Sequence, residues 1–393
     1  MKIPGKIKRL PAGLIRRARL ATRWLVFHLR GGVIRYFVIP AVYSPRLRDY
    51  TPESPVGRKP RVLLFRNKYA YSGSQRLGDS YDLHTVVSPL RNAAVAEVVE
   101  YSYDLDHSDG PLGDSKLVEL VNRTRPDLMV FSAYNDRNRM HPNFDVLKTL
   151  RSKCSLPIVI IWCDSTDKKP IGQFLRTANS IDLNVLMDSE TLVRDYPEIS
   201  QHLRLWTPND NTVFYRTDAP LDIDISFIGS TDSYRSIRQT YLEHLKEQGF
   251  NLLHTGGQHT PVGLEEYADI MRRSKISINF SHSIPGKHQL KARVFEILLS
   301  GSLMMESKNP ETPKFFRPMV DYVEYESKED MAEKARYFLE HEDERREIAL
   351  NGYQRATTEY SHTEFWERTF SRLRELGLMP ENSVPNRSEI NVS

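Results

Sequence analysis

Short apolar runs rich in β-branched residues alternate along most of the chain with longer stretches whose apolar positions recur every three to four residues. The first pattern is typical of buried parallel strands and the second of amphipathic helices, so their alternation predicts βαβ units. Two such series occur, and residues 206–215 (WTPNDNTVFY), with Pro, Asn and Asp, separate them in the manner of a hinge. The sequence therefore predicts an α/β protein with two doubly wound domains in tandem.

The predicted elements follow the chain in two sets. Strands of the first series are predicted at residues 61–65, 98–103, 128–132, 158–162 and 183–187, with helices at 115–123, 144–151 and 171–178. Strands of the second series are predicted at 223–228, 251–254, 275–280 and 302–305, with helices at 234–248, 264–273, 290–299, 328–341, 344–359 and 363–376. Two open parallel sheets in tandem hold ligands in the cleft between them, at the carboxyl ends of their strands.

The first 50 residues differ from the rest in charge. They contain twelve Lys or Arg and one acid, a net charge of +11, whereas the whole chain carries +4. Within residues 12–30, helical spacing places arginines on one arc and leucines opposite, and no apolar stretch reaches the length of about 20 residues that a membrane span needs. This pattern predicts a basic helical arm whose residues 1–40 lie on an anionic membrane surface. A helix packed on the protein's own body is the alternative. We expect no nucleic-acid partner, since no base-reading module follows.

A proline-rich connector at residues 44–60 divides the arm from the first sheet. The predicted organisation is an arm and linker over 1–59, an N-terminal domain over 60–215, a C-terminal domain over 216–378 and a tail over 379–393. No clean signal peptide is recognised, so a cytoplasmic protein, peripheral on the inner face of the membrane, is expected. The twelve histidines show no metal-ligand spacing, and no metal site or cofactor is expected.

The most informative stretch for chemistry is residues 281–306 (SHSIPGKHQLKARVFEILLSGSLMME). A strand leads into a loop that contains Lys287, and a helix opens near residue 290 with Lys291, Arg293 and Glu296 in its first turns. A helix N-terminus surrounded by basic side chains can hold a diphosphate, and Glu296 can accept hydrogen bonds from ribose hydroxyls. The residues alone leave open a second interpretation, an amphipathic helix with a solvated basic face.

The string QLKARVFE, with Gly301 five residues after its glutamate, resembles the C-terminal half of GT-B glycosyltransferases. It is most similar to the glycosyl transferases group 1 branch that includes the spore-maturation-protein-like enzymes. In that branch a strand ending in N-F-S precedes a Lys-x-Arg-x-Phe-Glu helix and a glycine turn. The resemblance continues through Glu306 and through residues 320–356 (VDYVEYESKEDMAEKARYFLEHEDERREIALNGYQRA). It is strong from about residue 206 to 376 and weaker before.

The resemblance implies a GT-B fold of two Rossmann-like domains, with a nucleotide sugar bound by the C-terminal one. Carried over by position, Glu296 resembles the glutamate that binds the donor ribose, the second in an E-x7-E signature. The first glutamate of that signature is replaced here by His288. This departure leaves the sugar-contacting residue, and inversion or retention at the sugar, undetermined.

Further site residues are also implied by the resemblance. The first strand-to-helix turn of the donor domain, with Gly229, Arg235 and Arg238, would face the diphosphate; surface arginines on an amphipathic helix are the alternative. Asp164, after the strand at 158–162, matches an aspartate of the family and is the candidate general base, although an aspartate there also commonly caps a turn.

The predicted function is transfer of a sugar from a nucleotide diphosphate sugar to a hydroxyl of a glycan, lipid-linked or protein acceptor, with a role in surface glycan synthesis. The predicted site comprises Asp164 as catalytic residue and a donor-binding set, namely Gly229, Arg235, Arg238, Lys287, Lys291, Arg293 and Glu296. Two alternatives are a nucleotide-sugar epimerase of the same fold and a non-catalytic assembly protein that retains it.

Overall fold

A computed structural model describes residues 58–69, 78–106, 111–132, 141–142, 144–163, 181–197, 199, 201–231, 235–256, 262–284 and 287–380. The basic arm, the predicted helix at 171–178, Asp164 and the tail beyond residue 380 lie outside the described residues, so what the sequence predicts of them stays a prediction. Among the residues that the structure does describe, no helix is both long and apolar enough to cross a bilayer.

The first sheet is parallel throughout, with the strand order β2-β1-β3-β4-β5-β6. Its strands are β1 (Arg61–Arg66), β2 (Glu97–Ser102), β3 (Leu128–Ser132), β4 (Ile158–Trp162), β5 (Leu183–Leu186) and β6 (His202–Arg204). The central strands are buried along almost their whole length, because helices cover both faces of a parallel sheet.

The second sheet is also parallel, with the order β13-β12-β9-β7-β8. Its strands are β7 (Ile223–Ile228), β8 (Leu252–Thr255), β9 (Ser274–Asn279), β12 (Leu303–Ser307) and β13 (Val323–Tyr325), while β10 (His282–Ile284) and β11 (Lys287–His288) form a separate antiparallel hairpin. In the first sheet β1 is flanked by β2 on one side and by β3 on the other. In the second sheet β7 is flanked in the same way by β8 and by β9. Each sheet therefore reverses its winding once, between β1 and β3 and between β7 and β9.

The helices match most of the periodic stretches of the sequence. They are α1 (Ser88–Ala93), α2 (Tyr103–Asp106), α3 (Pro111–Thr124), α4 (Phe144–Cys154), α5 (Thr191–Asp195), α6 (Ser236–Glu247), α7 (Leu264–Arg273), α8 (Ala292–Leu299), α9 (Lys328–Glu340), α10 (Glu342–Thr358) and α11 (His362–Glu375). A π-helical turn, Leu83–Val87, precedes α1. Capping by serine hydroxyls fixes where α9 and α11 begin, since Ser327 accepts from the Asp330 N–H and Ser361 from the Glu364 N–H.

The two sheets share a packed boundary rather than a loose linker. The last helix, α11, returns to pack against α1 of the first sheet. Trp206, at the start of the predicted hinge, is buried and its indole ring lies edge-on against Phe365 of α11. The Asp210 N–H of the same segment donates to the carbonyl of His84 at 2.8 Å. The segment at 206–215 is thus held by both halves of the chain.

Candidate functional site

The winding of an open parallel sheet determines where ligands bind, namely the carboxyl edge at the point where the strand order reverses. In the second sheet this point lies between β7, which is followed by Gly229, and β9, which ends at Asn279. The side chains of Tyr267, Arg293 and Glu296 meet there. The predicted donor residues Gly229, Arg293 and Glu296 are therefore brought together by the fold.

Two glycines allow the turn after β7 to lie close to its neighbours. Gly229 N–H donates to the Thr255 carbonyl at 2.9 Å. Gly256 has a φ of +88°, and a Cβ on it would lie 2.8 Å from the Gly229 nitrogen. A Cβ on Gly229 would lie 3.1 Å from Nη2 of Arg293. Backbone and guanidinium can approach each other at this turn because no side chain intervenes.

Arg293 enters the site from the first turn of α8 and is held from two sides. Its Nε donates to the Tyr267 hydroxyl at 3.3 Å, and its Nη1 donates to Oδ1 of Asn279, also at 3.3 Å. The guanidinium carbon lies 5.6 Å from the centre of the Phe227 ring. These contacts place a permanent positive charge beside the β7 turn.

Glu296 follows Arg293 by three residues and therefore lies on the same face of α8. Only 1% of its surface is exposed, and both carboxylate oxygens accept hydrogen bonds from tyrosine hydroxyls. Tyr267 donates to Oε2 at 2.5 Å, and Tyr81 donates to Oε1 at 2.8 Å. Burial raises the pKa of Glu296, against the opposing effects of the Tyr267 hydroxyl and the Arg293 guanidinium.

Tyr81 reaches this carboxylate from the other half of the chain. It precedes the π-helical turn after β1, and 44% of its surface is exposed. Burial of the hydroxyl and the neighbouring Glu296 raise the pKa of Tyr81 well above its ordinary value, so the hydroxyl stays a donor. A ligand hydroxyl that binds Glu296 therefore has to displace the Tyr81 hydroxyl or share Oε1 with it.

The two lysines before α8 differ in their surroundings. Lys291 is the N-cap residue of α8, and its ammonium donates to the side-chain oxygen of Gln289. Gln289 in turn donates to Oδ2 of Asp188 at 3.0 Å, and the Leu290 N–H donates to the Asp188 carbonyl at 2.8 Å. This chain of contacts joins α8 to the segment after β5. Lys287 lies on β11 of the hairpin.

The two arginines of α6 also differ in their surroundings. Arg238 is 5% exposed, and it donates to the carbonyls of Ser230 and His282, both at 3.1 Å. It therefore ties the turn after β7 to the β10–β11 hairpin. Arg235 is the N-cap residue of α6 and is partly exposed.

Four further residues belong to the cluster and are absent from the predicted set: Tyr81, Tyr267, Asn279 and Glu306. Asn279 is the last residue of β9 and the first of the N-F-S string. That string is the signal for Asn279 in the sequence. No pattern in the sequence indicates Tyr267 or Tyr81 as a site residue. Tyr81 in particular contacts Glu296 from 215 positions away along the chain. Among the described residues no group of three or more His, Cys, Asp or Glu side chains could hold a metal ion.

Two parallel sheets of this winding, packed so that a residue following β1 touches the ligand edge of the second sheet, define a GT-B fold. Residues 235–370 match the family model described as glycosyl transferase-like. This region contains α6 to α8 and hence Arg293 and Glu296. Residues 235–370 of the C-terminal half accordingly resemble a glycosyl transferase-like domain.

Several solved structures share this architecture at low sequence identity. The Anabaena protein Alr3699/HepE, in complex with UDP-glucose, is 11% identical with a TM-score of 0.53, covering 80% of this chain and 99% of its own. Sucrose-phosphate synthase from Thermosynechococcus elongatus is 9% identical with a TM-score of 0.54, covering 81% and 100%. An α-glucosyltransferase in complex with UDP-glucose and DNA containing an abasic site is 12% identical with a TM-score of 0.56, covering 80% and 100%. No curated protein matches the sequence.

Proposed function

We propose that the chain is a hexosyltransferase that moves a sugar from a nucleotide diphosphate sugar to an acceptor hydroxyl. The observation that carries the proposal is the pairing of Arg293 and Glu296 at the winding reversal of the second sheet, beside the close-packed glycine turn at Gly229. One group is a fixed cation and the other is an acceptor of two hydrogen bonds. A nucleoside diphosphate has the complementary groups, an anionic diphosphate and two ribose hydroxyls.

In this proposal Glu296 receives the ribose hydroxyls, and Arg293 with the Gly229 turn receives the diphosphate. Arginine forks match phosphate oxygens in pairs, and a glycine turn lets backbone N–H groups approach them. Arg238 acts indirectly by holding the Ser230 carbonyl in place. Arg235, Lys287 and Lys291 are proposed to surround the same anionic group.

The main contribution to catalysis is then stabilisation of the leaving group. Negative charge accumulates on the departing diphosphate as the bond to the sugar breaks, and a fixed guanidinium nearby lowers the energy of that transition state. The acceptor is proposed to enter from the first sheet, on whose side Tyr81 stands. A base from that half, for which Asp164 is the candidate from the sequence, would take the proton of the acceptor hydroxyl.

UDP is the first nucleotide to test, because the structures of HepE and of the α-glucosyltransferase were both solved in complex with UDP-glucose. A nucleoside diphosphate that binds the folded state should raise the melting temperature. At 100 times its dissociation constant it adds about 2.7 kcal/mol to the free energy of unfolding. Thermal denaturation with UDP, GDP, ADP, CDP and dTDP measures the shift.

Arg293→Ala serves as the matched variant in the same series, since it removes the proposed phosphate contact. We expect the nucleotide-dependent shift to shrink in this variant while its melting temperature without ligand remains measurable. If millimolar concentrations of all five nucleotides leave the wild-type melting temperature unchanged, the donor site is not where the proposal places it.

A further inference from the structure

A carboxyl group outside the proposed contacts is buried directly behind them. Glu306, near the end of β12, has no exposed surface. Its Oε1 accepts from Nδ2 of Asn279 at 2.9 Å, and its Oε2 is hydrogen-bonded to the Thr312 hydroxyl at 2.8 Å. A buried carboxyl without such partners would destabilise the fold, so both of its oxygens are engaged.

The sheet itself brings Glu306 and Asn279 together. They are directly paired in the parallel register of β9 and β12, and Asn279 also has no exposed surface. The carbonyl of Asn279 accepts from the Tyr325 hydroxyl at 2.9 Å, which fixes the backbone at this point. The side chains of the pair therefore have little freedom to rearrange.

Glu306 determines which way the Asn279 amide faces. An amide presents a donor on one side and an acceptor on the other, and the two orientations have nearly the same shape. Because Oε1 of Glu306 accepts, the amide nitrogen must point toward it and Oδ1 must point away. Oδ1 is the atom that accepts from Nη1 of Arg293. In the flipped orientation the amide N–H2 would face the guanidinium, which has only donors.

The protonation state of Glu306 is compatible with this role. Burial raises the pKa of Glu306 to about 8. Oε1 accepts from Nδ2 of Asn279 and Oε2 accepts from the Thr312 hydroxyl, and because that hydroxyl can also accept when the carboxyl is protonated, Oε1 remains an acceptor in either state. A glutamine at this position reproduces that arrangement, since its carbonyl can face Asn279 and its amide nitrogen can face Thr312.

We propose that Glu306 is a positioning residue for the donor diphosphate, acting through the Asn279 amide on the orientation of Arg293. The inference rests on the proposed function. The Arg293 guanidinium is oriented by Asn279 on Nη1 and by Tyr267 on Nε, and this orientation places Nη2 at the Gly229 turn. Removal of the Glu306 acceptor releases the amide and with it one of the two restraints on the guanidinium.

The test compares Glu306→Leu with Glu306→Gln. Leucine has a similar size and no acceptor, whereas glutamine keeps the acceptor on Asn279. We expect the Kd of UDP to rise about tenfold in Glu306→Leu, a loss of about 1.4 kcal/mol, and to stay near the wild-type value in Glu306→Gln. The Kd of uridine, which lacks phosphates, should be unchanged in both variants. Isothermal titration calorimetry measures these constants.

A purely structural role for Glu306 gives a different pattern. It would lower the melting temperature of Glu306→Leu without changing the ratio of the Kd of UDP to the Kd of uridine. Alternatively, it would weaken the binding of UDP and uridine by the same factor. Either result overturns the inference. If the leucine variant does not fold, Glu306→Asp keeps a carboxyl but withdraws it from Asn279 by one methylene, and it should raise the ratio of the Kd of UDP to the Kd of uridine.

Crystal structures of wild type and Glu306→Leu test the orientation itself, without any nucleotide. The Arg293 guanidinium should leave Oδ1 of Asn279 in the variant, and an unmoved guanidinium would contradict the inference. If wild type binds no nucleoside diphosphate while the guanidinium does move, the proposed function fails, and with it the role toward the diphosphate, while the orienting effect of Glu306 on Arg293 stands.

Discussion

Replacement of Glu296 with Gln is expected to lower kcat/KM for a nucleotide sugar roughly ten- to a hundredfold in a protein that still folds. A hydrogen bond to a charged group contributes about 1.5–3 kcal/mol, and the ribose loses its charged acceptor in this variant. Glutamine is preferable to alanine because Glu296 is enclosed. It fills the same volume and keeps a carbonyl for one of the two tyrosine hydroxyls that bind there.

The matched control is Glu347→Gln, the same chemical change on an exposed position of α10. Steady-state kinetics of both variants, alongside their melting temperatures, separates a loss of donor use from a loss of folding. Wild-type kcat/KM in a folded Glu296→Gln variant would show that this carboxylate does not contact the donor.

Gly352→Ala is expected to destabilise the protein by about 1–3 kcal/mol, as overpacking of a dense core does. Gly352 is buried in the middle of α10, where helix propensity alone would favour alanine by about 1 kcal/mol. A Cβ there would lie 2.3 Å from the backbone oxygen of Asp321 and 2.7 Å from Cδ2 of Leu298 on α8. The backbone oxygen cannot rotate away as a side chain can, so α10 has to move away from the segment that contains Asp321.

Gly263→Ala is the control for this substitution, since nothing lies within 4 Å of a Cβ at that position. Thermal or urea denaturation of the two variants gives the comparison. The destabilisation should be far greater for Gly352→Ala than for Gly263→Ala. A melting temperature of Gly352→Ala above that of wild type would mean that helix propensity prevails and that the close approach of α10 to Asp321 and Leu298 is not formed.

The strands that the sequence predicted best are those buried on both faces. Residues 128–132 and 158–162 are predicted with the bounds that the structure shows, because a continuous apolar run between polar turns has few other interpretations. The predicted bounds of residues 223–228 are also confirmed, although Asp224 and Ser226 interrupt that run. β6 and the β10–β11 hairpin were missed. They have only two or three residues each and are partly exposed where described, so hydrophobicity gives no period to detect.

The site could be predicted only as far as its residues are neighbours in sequence. Arg293 and Glu296 are three residues apart on one helix, and their spacing shows that they share a face. The Asn279–Glu306 pair depends on which strands are adjacent and in what register, and the Tyr81–Glu296 contact depends on how the two sheets pack. Neither contact can be predicted from the spacing of residues that are neighbours in the sequence. The helix start was predicted at residue 290, but Leu290 donates its N–H to Asp188 and α8 begins at Ala292.

The most direct test of the account is the consumption of nucleotide sugars by the purified full-length protein. The chain should be incubated with a panel of UDP-, GDP-, ADP-, CDP- and dTDP-sugars, and the release of nucleoside diphosphate should be followed for wild type, Glu296→Gln and Arg293→Ala. We predict that wild type releases the diphosphate from at least one of these donors and that both variants release it much more slowly. If wild type consumes none of them, or if both folded variants consume the donor at the wild-type rate, a glycosyltransferase site at Arg293 and Glu296 is contradicted.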